Sequence, residues 1–187
     1  MSRLNVLEPG PASDSLEDYY QKGVRRHGQR HREFHWPSME LLFNFVYTYD
    51  VIESKLARRL GAHGLSLSAF NVLMILSRSG PEGCALHELS KLLVVSRANI
   101  TGLVRCLVEK RLIERVEDER DRRVRIARIT VKGEKLLEKV LPGYYLMVRE
   151  MLGRVSRDEN RMLNNLLSRM RKSVQQSGDK PSAGKEV

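Results

Sequence analysis

Cysteine is scarce in this chain: Cys84 and Cys106 are the two among 187 residues, 22 positions apart and in neither CxxC nor CxxH spacing. The pair offers no cysteine-based metal motif, and a reducing compartment would keep both as thiols. Long apolar runs are missing too. No stretch of 18 apolar residues occurs, and the N-terminal MSRLNVLEPGPASD lacks the continuous apolar segment of a secretory signal. Membrane insertion and export are therefore not expected, and a cytoplasmic location is. Catalytic signatures are equally wanting. The chain holds no P-loop, HExxH, nucleophile elbow or zinc-deaminase pattern, and its acids fall mainly on solvated helix faces, so no enzyme is expected.

Positive charge is what the chain has in excess. Lys and Arg number 33 against 23 Asp and Glu, a formal net charge of +10 with a pI near 9.9, in a composition that is 41% hydrophobic. That is enough apolar material for one compact domain with tails. A basic excess points to nucleic acid or an anionic surface only where it is clustered. Here it is clustered, because the stretch DERDRRVRIARIT, residues 118–130, holds five arginines between Arg120 and Arg128. Guanidinium groups that close together repel one another unless they are well solvated or meet an anionic partner.

Residues 1–12, with Pro9, Gly10 and Pro11, read as a flexible start, and the polar run 173–187 reads as a frayed tail. Leu16, Tyr19, Tyr20 and Val24 share a helical face, which predicts a short helix over 14–26, and RRHGQRHR follows as an exposed basic link. Pro37 suits the opening of a helix in which Leu42, Phe45, Tyr49, Ile52 and Leu56 recur at three and four. Its apolar face also takes in Leu41, Phe43, Val46 and Tyr47, too wide a band for a lone surface helix. Such a helix should be covered on two sides, by the rest of the chain and by a second copy. A shorter helix is expected over 68–77, then a turn at GPEG, 80–83.

Leu86, Leu89 and Leu93 mark one short helix, and Ile100, Leu103, Val104, Leu107 and Val108 give the apolar stripe of a second, with Val94, Val95 and Ser96 between them. Two short helices joined by a tight turn form a helix-turn-helix. Ala98, Gly102, Arg105 and Glu109 fall opposite the second stripe, with Asn99 and Thr101 on its flanks. Gly102 costs about 1 kcal/mol of helix propensity relative to Ala, and close backbone approach to a base pair would compensate for it.

LIERVE, 112–117, and VRIARIT, 124–130, then read as two strands around an arginine-rich connection. A helix-turn-helix followed by such a hairpin is a winged helix, whose basic wing finds its counter-charge along a DNA backbone and in the minor groove. Arg125 and Arg128 could instead pair with Asp118 or Asp121 and brace the hairpin. Beyond it, Thr130 can cap a helix with doubled apolar stripes that Pro142 should kink, and Ser156 with Glu159 is a capping box for a last helix reaching about Val174. The fold class is thus mainly α with a small β-hairpin wing.

The order of elements, together with LVEKRLIERVEDERDRRVRIARITVKG, 107–133, resembles the MarR family of bacterial transcriptional regulators. The matching pieces are Val108–Lys110, the Leu112–Ile113 strand, the Asp-x-Arg-Asp-x-Arg wing at 118–123 and the Thr-x-x-Gly helix opening at 130–133. Val108 stands where Leu is usual and Glu119 where Pro is common. The resemblance implies an arm over 1–36, a MarR-type domain over 37–174 and a flexible tail over 175–187. Within that domain it implies a winged helix-turn-helix over about 66–130 and dimerisation helices over about 37–60 and 131–174.

The resemblance further implies a homodimer that binds a pseudo-palindromic operator and represses transcription. Ser96, Arg97, Ala98, Asn99, Thr101, Gly102 and Arg105 would face the major groove, and Arg120, Arg122 and Arg123 would form the wing contact. It also implies a small aromatic or phenolic effector between the dimer helices and the lobe, and no cofactor. Trp36, Tyr47, Phe70, Asn71 and Met74 could line that cleft, although the same spacing suits plain core. The extra N-terminal helix is similar to the urate-responsive branch. Asn71 and Leu103, however, stand where that branch has an acid and an arginine, which speaks against urate.

Three alternatives share the charge. His27, His31 and His35, spaced at four, would suit a zinc-responsive regulator, and Cys84 or Cys106 a redox-responsive one. A non-specific architectural DNA-binding protein would not need Asn99, Thr101 and Arg105 presented together.

Overall fold

The computed structural model describes residues 15–93, 97–117 and 124–177, without the side chains of 15–21 and 97–99. The chain divides into two compact units, Met1–Leu67 and Ser68–Val187.

The first unit is built on two helices, α1 (Ser15–Gly28) and α2 (Trp36–Gly61). Pro37 sits in the first turn of α2, where its missing N–H costs nothing because that donor has no partner within the helix. The link between the helices folds back so that the Phe34 ring lies on Gly28, where any Cβ would collide with it. Leu56 and Leu60 are buried. Gly64, at φ +70°, takes the left-handed conformation that ends the helical segment, and Leu65 N–H donates to the Leu60 carbonyl at 3.1 Å. Leu41, Leu42, Phe45, Val46, Tyr49 and Val51 of α2 are exposed, while Trp36, Phe43, Tyr47 and Ile52 are half-buried.

The second unit holds α3 (Leu67–Leu76, from its second residue), β1 (Cys84–Ala85), α4 (Leu86–Leu92), α5 (Arg97–Glu109), β2 (Ile113–Glu117), β3 (Arg125–Ile129), α6 (Val131–Leu152) and α7 (Arg157–Ser177). Its core is made of Phe70, Leu73 and Leu76 from α3, Leu89 from α4, Val104 and Leu107 from α5, Ile113 and Ala127 from the sheet, and Leu137 and Val140 from α6. The Phe70 and Tyr144 rings meet at 4.7 Å between centroids, tying α3 to α6.

The wing differs from the expected two-stranded hairpin by one strand. All three strands are antiparallel in the order β1-β3-β2, with Cys84 opposite Ala127 and Arg115 opposite the same residue on the other side. A strand of two residues carries too little alternation to be read from sequence. Gly83, at φ +75°, delivers the chain to that strand, and a Cβ there would strike the Ala127 carbonyl. Thr130 caps α6 as its sequence suggests, its hydroxyl oxygen accepting from Gly133 N–H at 3.1 Å. Helix α6 continues through Pro142 as one element. Ser156 and Glu159 form the reciprocal capping box, at 2.8 and 3.3 Å. No residue of α7 is buried.

Candidate nucleic-acid interface

Helix α4 stops because Leu93 leaves helical geometry, its N–H closing on the Leu89 carbonyl at 3.0 Å while its side chain is buried. Helix α5 then buries Ile100, Val104 and Leu107, three positions on one face of a 3.6-residue helix. The opposite face is therefore bound to look outward. Thr101, Gly102 and Arg105 are all exposed there. A Cβ built on Gly102 would meet nothing within 4 Å, so the α5 backbone is uncovered at that point. The Arg105 guanidinium lies 3.7 Å from Glu109, one turn on, with both side chains largely in solvent. Val108, assigned to the apolar stripe by spacing, is exposed at its edge.

Arg97, Ala98 and Asn99 belong to the first turn of α5, and their side chains lie outside the described residues. Ser96 and the wing tip with Arg120, Arg122 and Arg123 lie outside them as well. The stem of the wing is described. Arg125 pairs with Glu117, directly across the β2–β3 ladder, and Arg128 Nε donates to the Glu82 carbonyl at 3.4 Å. Both arginines thus brace the hairpin, but through partners the sequence reading did not name. Glu117 could have been found from its mirror position to Arg125 around the turn. Glu82 is 46 residues from Arg128 and left no local signal.

The stem is also tied to its neighbours. The Thr130 hydroxyl donates to the Arg111 carbonyl at 2.8 Å, and Lys132 Nζ donates to the Lys110 carbonyl at 2.9 Å. Arg111, at φ +57°, is the left-handed residue that turns α5 into β2. These contacts link the end of α5 to the wing and to the start of α6, which fixes the helix and the hairpin as one piece.

The suggested effector-cleft residues divide between the units. In the first, Trp36 and Tyr47 are half-buried, the indole lying beneath the Arg25 guanidinium at 5.4 Å. In the second, Phe70 is buried in the core, Met74 is half-buried and Asn71 is exposed. Cys84 is buried in β1, and its thiol pKa is pushed up by burial first and by the nearby Glu88 charge second. Cys106 is exposed on α5. The His27 and His31 rings are 5.9 Å apart, whereas His35 bonds to the Ser38 hydroxyl at 2.8 Å. Among the described residues no three His, Cys, Asp or Glu side chains are grouped to hold a metal ion. No described helix is long and apolar enough to cross a membrane.

A family model described as MarR family matches residues 63–124, the segment that runs from just before α3 to the residue before β3. The crystal structure of the transcriptional regulator BldR from Sulfolobus solfataricus superposes with a TM-score of 0.62 at 30% identity, covering 71% of this chain and 96% of that one. The chain belongs to the MarR family. It is 29% identical over 143 residues to the HTH-type transcriptional regulator MhqR of Bacillus subtilis (strain 168), covering 76% of this chain and 97% of that protein. It is 28% identical over 161 residues to the transcriptional repressor MprA of Escherichia coli (strain K12), covering 84% and 89%. As a MarR-family member it is a DNA-binding transcription regulator and not an enzyme, and the exposed face of α5 and the stem of the wing are the described parts of its winged helix.

Proposed function

We propose that this MarR-family protein is a homodimeric repressor that reads a pseudo-palindromic operator and lets go of it when a small aromatic or phenolic effector binds. The observation that carries the reading is the two-sidedness of α5. Ile100, Val104 and Leu107 anchor one side in the core while Thr101, Gly102 and Arg105 present a small, polar and cationic surface on the other. A helix of that kind can bring its backbone close to base edges. In this reading Ser96, Arg97, Ala98, Asn99, Thr101, Gly102 and Arg105 serve the major groove, and Arg120, Arg122 and Arg123 meet phosphates and the minor groove. Repression is favoured by the likeness to MprA, which is named a repressor. Dimerisation is favoured by the apolar side chains left in solvent on α2, α6 and α7.

The domain layout follows the same reading, with an arm over 1–36, the regulator domain over 37–174 and a tail beyond it. For the effector we propose a small aromatic or phenolic compound, as bound by the solved relatives BpsR and RdhR.

A footprint on the protein's own upstream region tests the whole. Two half-sites about one helical turn apart, roughly 10 to 10.5 bp, are expected, and a single asymmetric site would contradict the dimer. Arg122→Ala should weaken binding to specific and random duplexes alike and reduce the slope of log K against log salt by about one. An unchanged slope removes the wing from the phosphate contacts. Changing Asn99 or Thr101 should alter preference among operators, by about 1 to 3 kcal/mol for a lost base contact.

A further inference from the structure

Helix α5 ends on an acid that its position does not favour. Glu109 is the last residue of the helix, and no basic residue stands in the last turn. A carboxylate there meets the negative end of the helix dipole. At about 100° per residue Glu109 also lies about half a turn round from the buried Ile100, and within about 20° of Gly102, where the backbone is uncovered. Whatever approaches the α5 backbone at Gly102 therefore meets this carboxylate about 10 Å further along the axis. On a helix whose partner is a polyanion, that is a second unfavourable placement.

The fold offsets neither of them. The Arg105 guanidinium stands 3.7 Å from Glu109, with both side chains largely in solvent. Exposed ion pairs contribute little to stability, and an arginine four residues before its acid is the weaker of the two orders. The end of α5 is held by backbone instead. Arg111 N–H donates to the Val108 carbonyl at 2.8 Å and Leu112 N–H to the Leu107 carbonyl at 3.0 Å, and Glu109 takes part in neither bond. What the pair does supply is a donor and an acceptor 3.7 Å apart on the outward face, and among the described side chains of α5 these two alone carry charge. Stacked bases follow one another at about 3.4 Å along a strand, so the pair is spaced to meet two neighbouring base edges.

We propose, on the reading that α5 enters the major groove, that Glu109 is a specificity-determining residue that accepts from a cytosine amino group beside a guanine read by Arg105. A guanidinium donates to guanine O6 and N7, and a carboxylate accepts from cytosine N4. On a duplex with no cytosine at that place the carboxylate finds no donor, faces phosphates, and keeps Arg105 for itself. Glu109 thus weakens binding to random duplex more than binding to the operator. Discrimination of this kind comes from a repulsive element as much as from an attractive one.

The full-length protein and its variants are titrated with an operator fragment, a panel of single base-pair changes within it, and a random duplex of equal length. Glu109→Ala should tighten binding to the random duplex several-fold and lower the operator-to-random affinity ratio about tenfold, the size of one lost base contact. The slope of log K against log salt on the random duplex should steepen by about one, as Arg105 is released to a phosphate. Glu109→Gln should move the preferred base from cytosine toward adenine, because an amide offers the donor and acceptor that adenine matches. Glu33→Ala, which removes an exposed acid from the link between α1 and α2, should leave ratio and slope unchanged. Denaturant midpoints check that each variant is folded. An unchanged ratio or slope in Glu109→Ala, an unchanged base preference in Glu109→Gln, or the same effects from Glu33→Ala would overturn the assignment. Thr101→Ala separates it from the reading beneath it. If that variant alters operator preference and the Glu109 variants do not, the Glu109 assignment alone falls; if none of the three does, α5 does not read base edges and both fall.

Discussion

Single glycines in this protein do opposite jobs. At Gly133 a Cβ would land on the Leu112 carbonyl, and its N–H is the one capped by Thr130, so the Thr-x-x-Gly opening of α6 is a packing requirement of the free protein. At Gly102 a side chain would meet nothing, so the fold has no use for glycine there. The two residues therefore predict opposite responses to the same change. Gly102→Ala should raise stability by up to about 1 kcal/mol through helix propensity, while weakening operator binding because the added methyl stands between the α5 backbone and the DNA. Denaturant midpoints and gel-shift titrations on the same samples measure both. A variant that gains stability and keeps full operator affinity would mean that the α5 backbone does not come close to a base pair. Gly133→Ala should lose about 1 to 3 kcal/mol by overpacking against backbone.

At the scale of elements, the wing and α7 show two ways to hold a segment with little core. The wing stem uses β1 on one side, the Arg125–Glu117 pair across the ladder and the reach of Arg128 to Glu82. Helix α7 buries nothing and starts from the Ser156–Glu159 capping box. The Ser156 hydroxyl and backbone N–H hold the Glu159 carboxyl below the ordinary carboxylate range. A group whose folded pKa is depressed contributes stability above its unfolded pKa, and that contribution is lost as pH falls through the folded value. The start of α7 should thus fray only in acid, at a pH lower than an ordinary glutamate would set. An NMR titration of Glu159 should give a midpoint below that of Glu in an unfolded peptide, and Ser156→Ala should return it toward the ordinary value. A normal midpoint in the unaltered chain would mean that the box does not form in solution.

At the scale of the molecule, the exposed apolar side chains are the dominant unexplained feature of a single chain. Met162, Leu163, Leu166 and Val174 on α7 and Tyr145, Leu146 and Leu152 on α6 lie in water, as do five or more apolar residues of α2. Scattered exposed leucines are normal, but repeated ones at helical spacing on long helices mark an association surface. Leu163→Lys with Leu166→Lys should yield a monomer in sedimentation velocity and a large loss of operator affinity, since two half-sites could no longer be held by one particle. A double variant that still sediments as a dimer would remove α7 from the interface.

The helices, the helix-turn-helix and the pairing of two strands were legible in the sequence because each rests on local periodicity or on a cap within four residues. The doubled stripes of α2, α6 and α7 were legible as apolar surplus for the same reason. Three things were decided only in three dimensions. The third strand was hidden because two residues have no period. The engagement of Arg128 with Glu82 and of Arg111 with Thr130 joins positions far apart in the chain, and sequence spacing carries no information on such pairs. The grouping of Lys22, Arg25 and Arg26 around Trp36 arises because the link at Phe34 folds back on Gly28, which places charges that read as a solvated run against an aromatic face. Local patterns fix which segments become helices and strands; the packing of segments that are distant in sequence fixes which side chains meet.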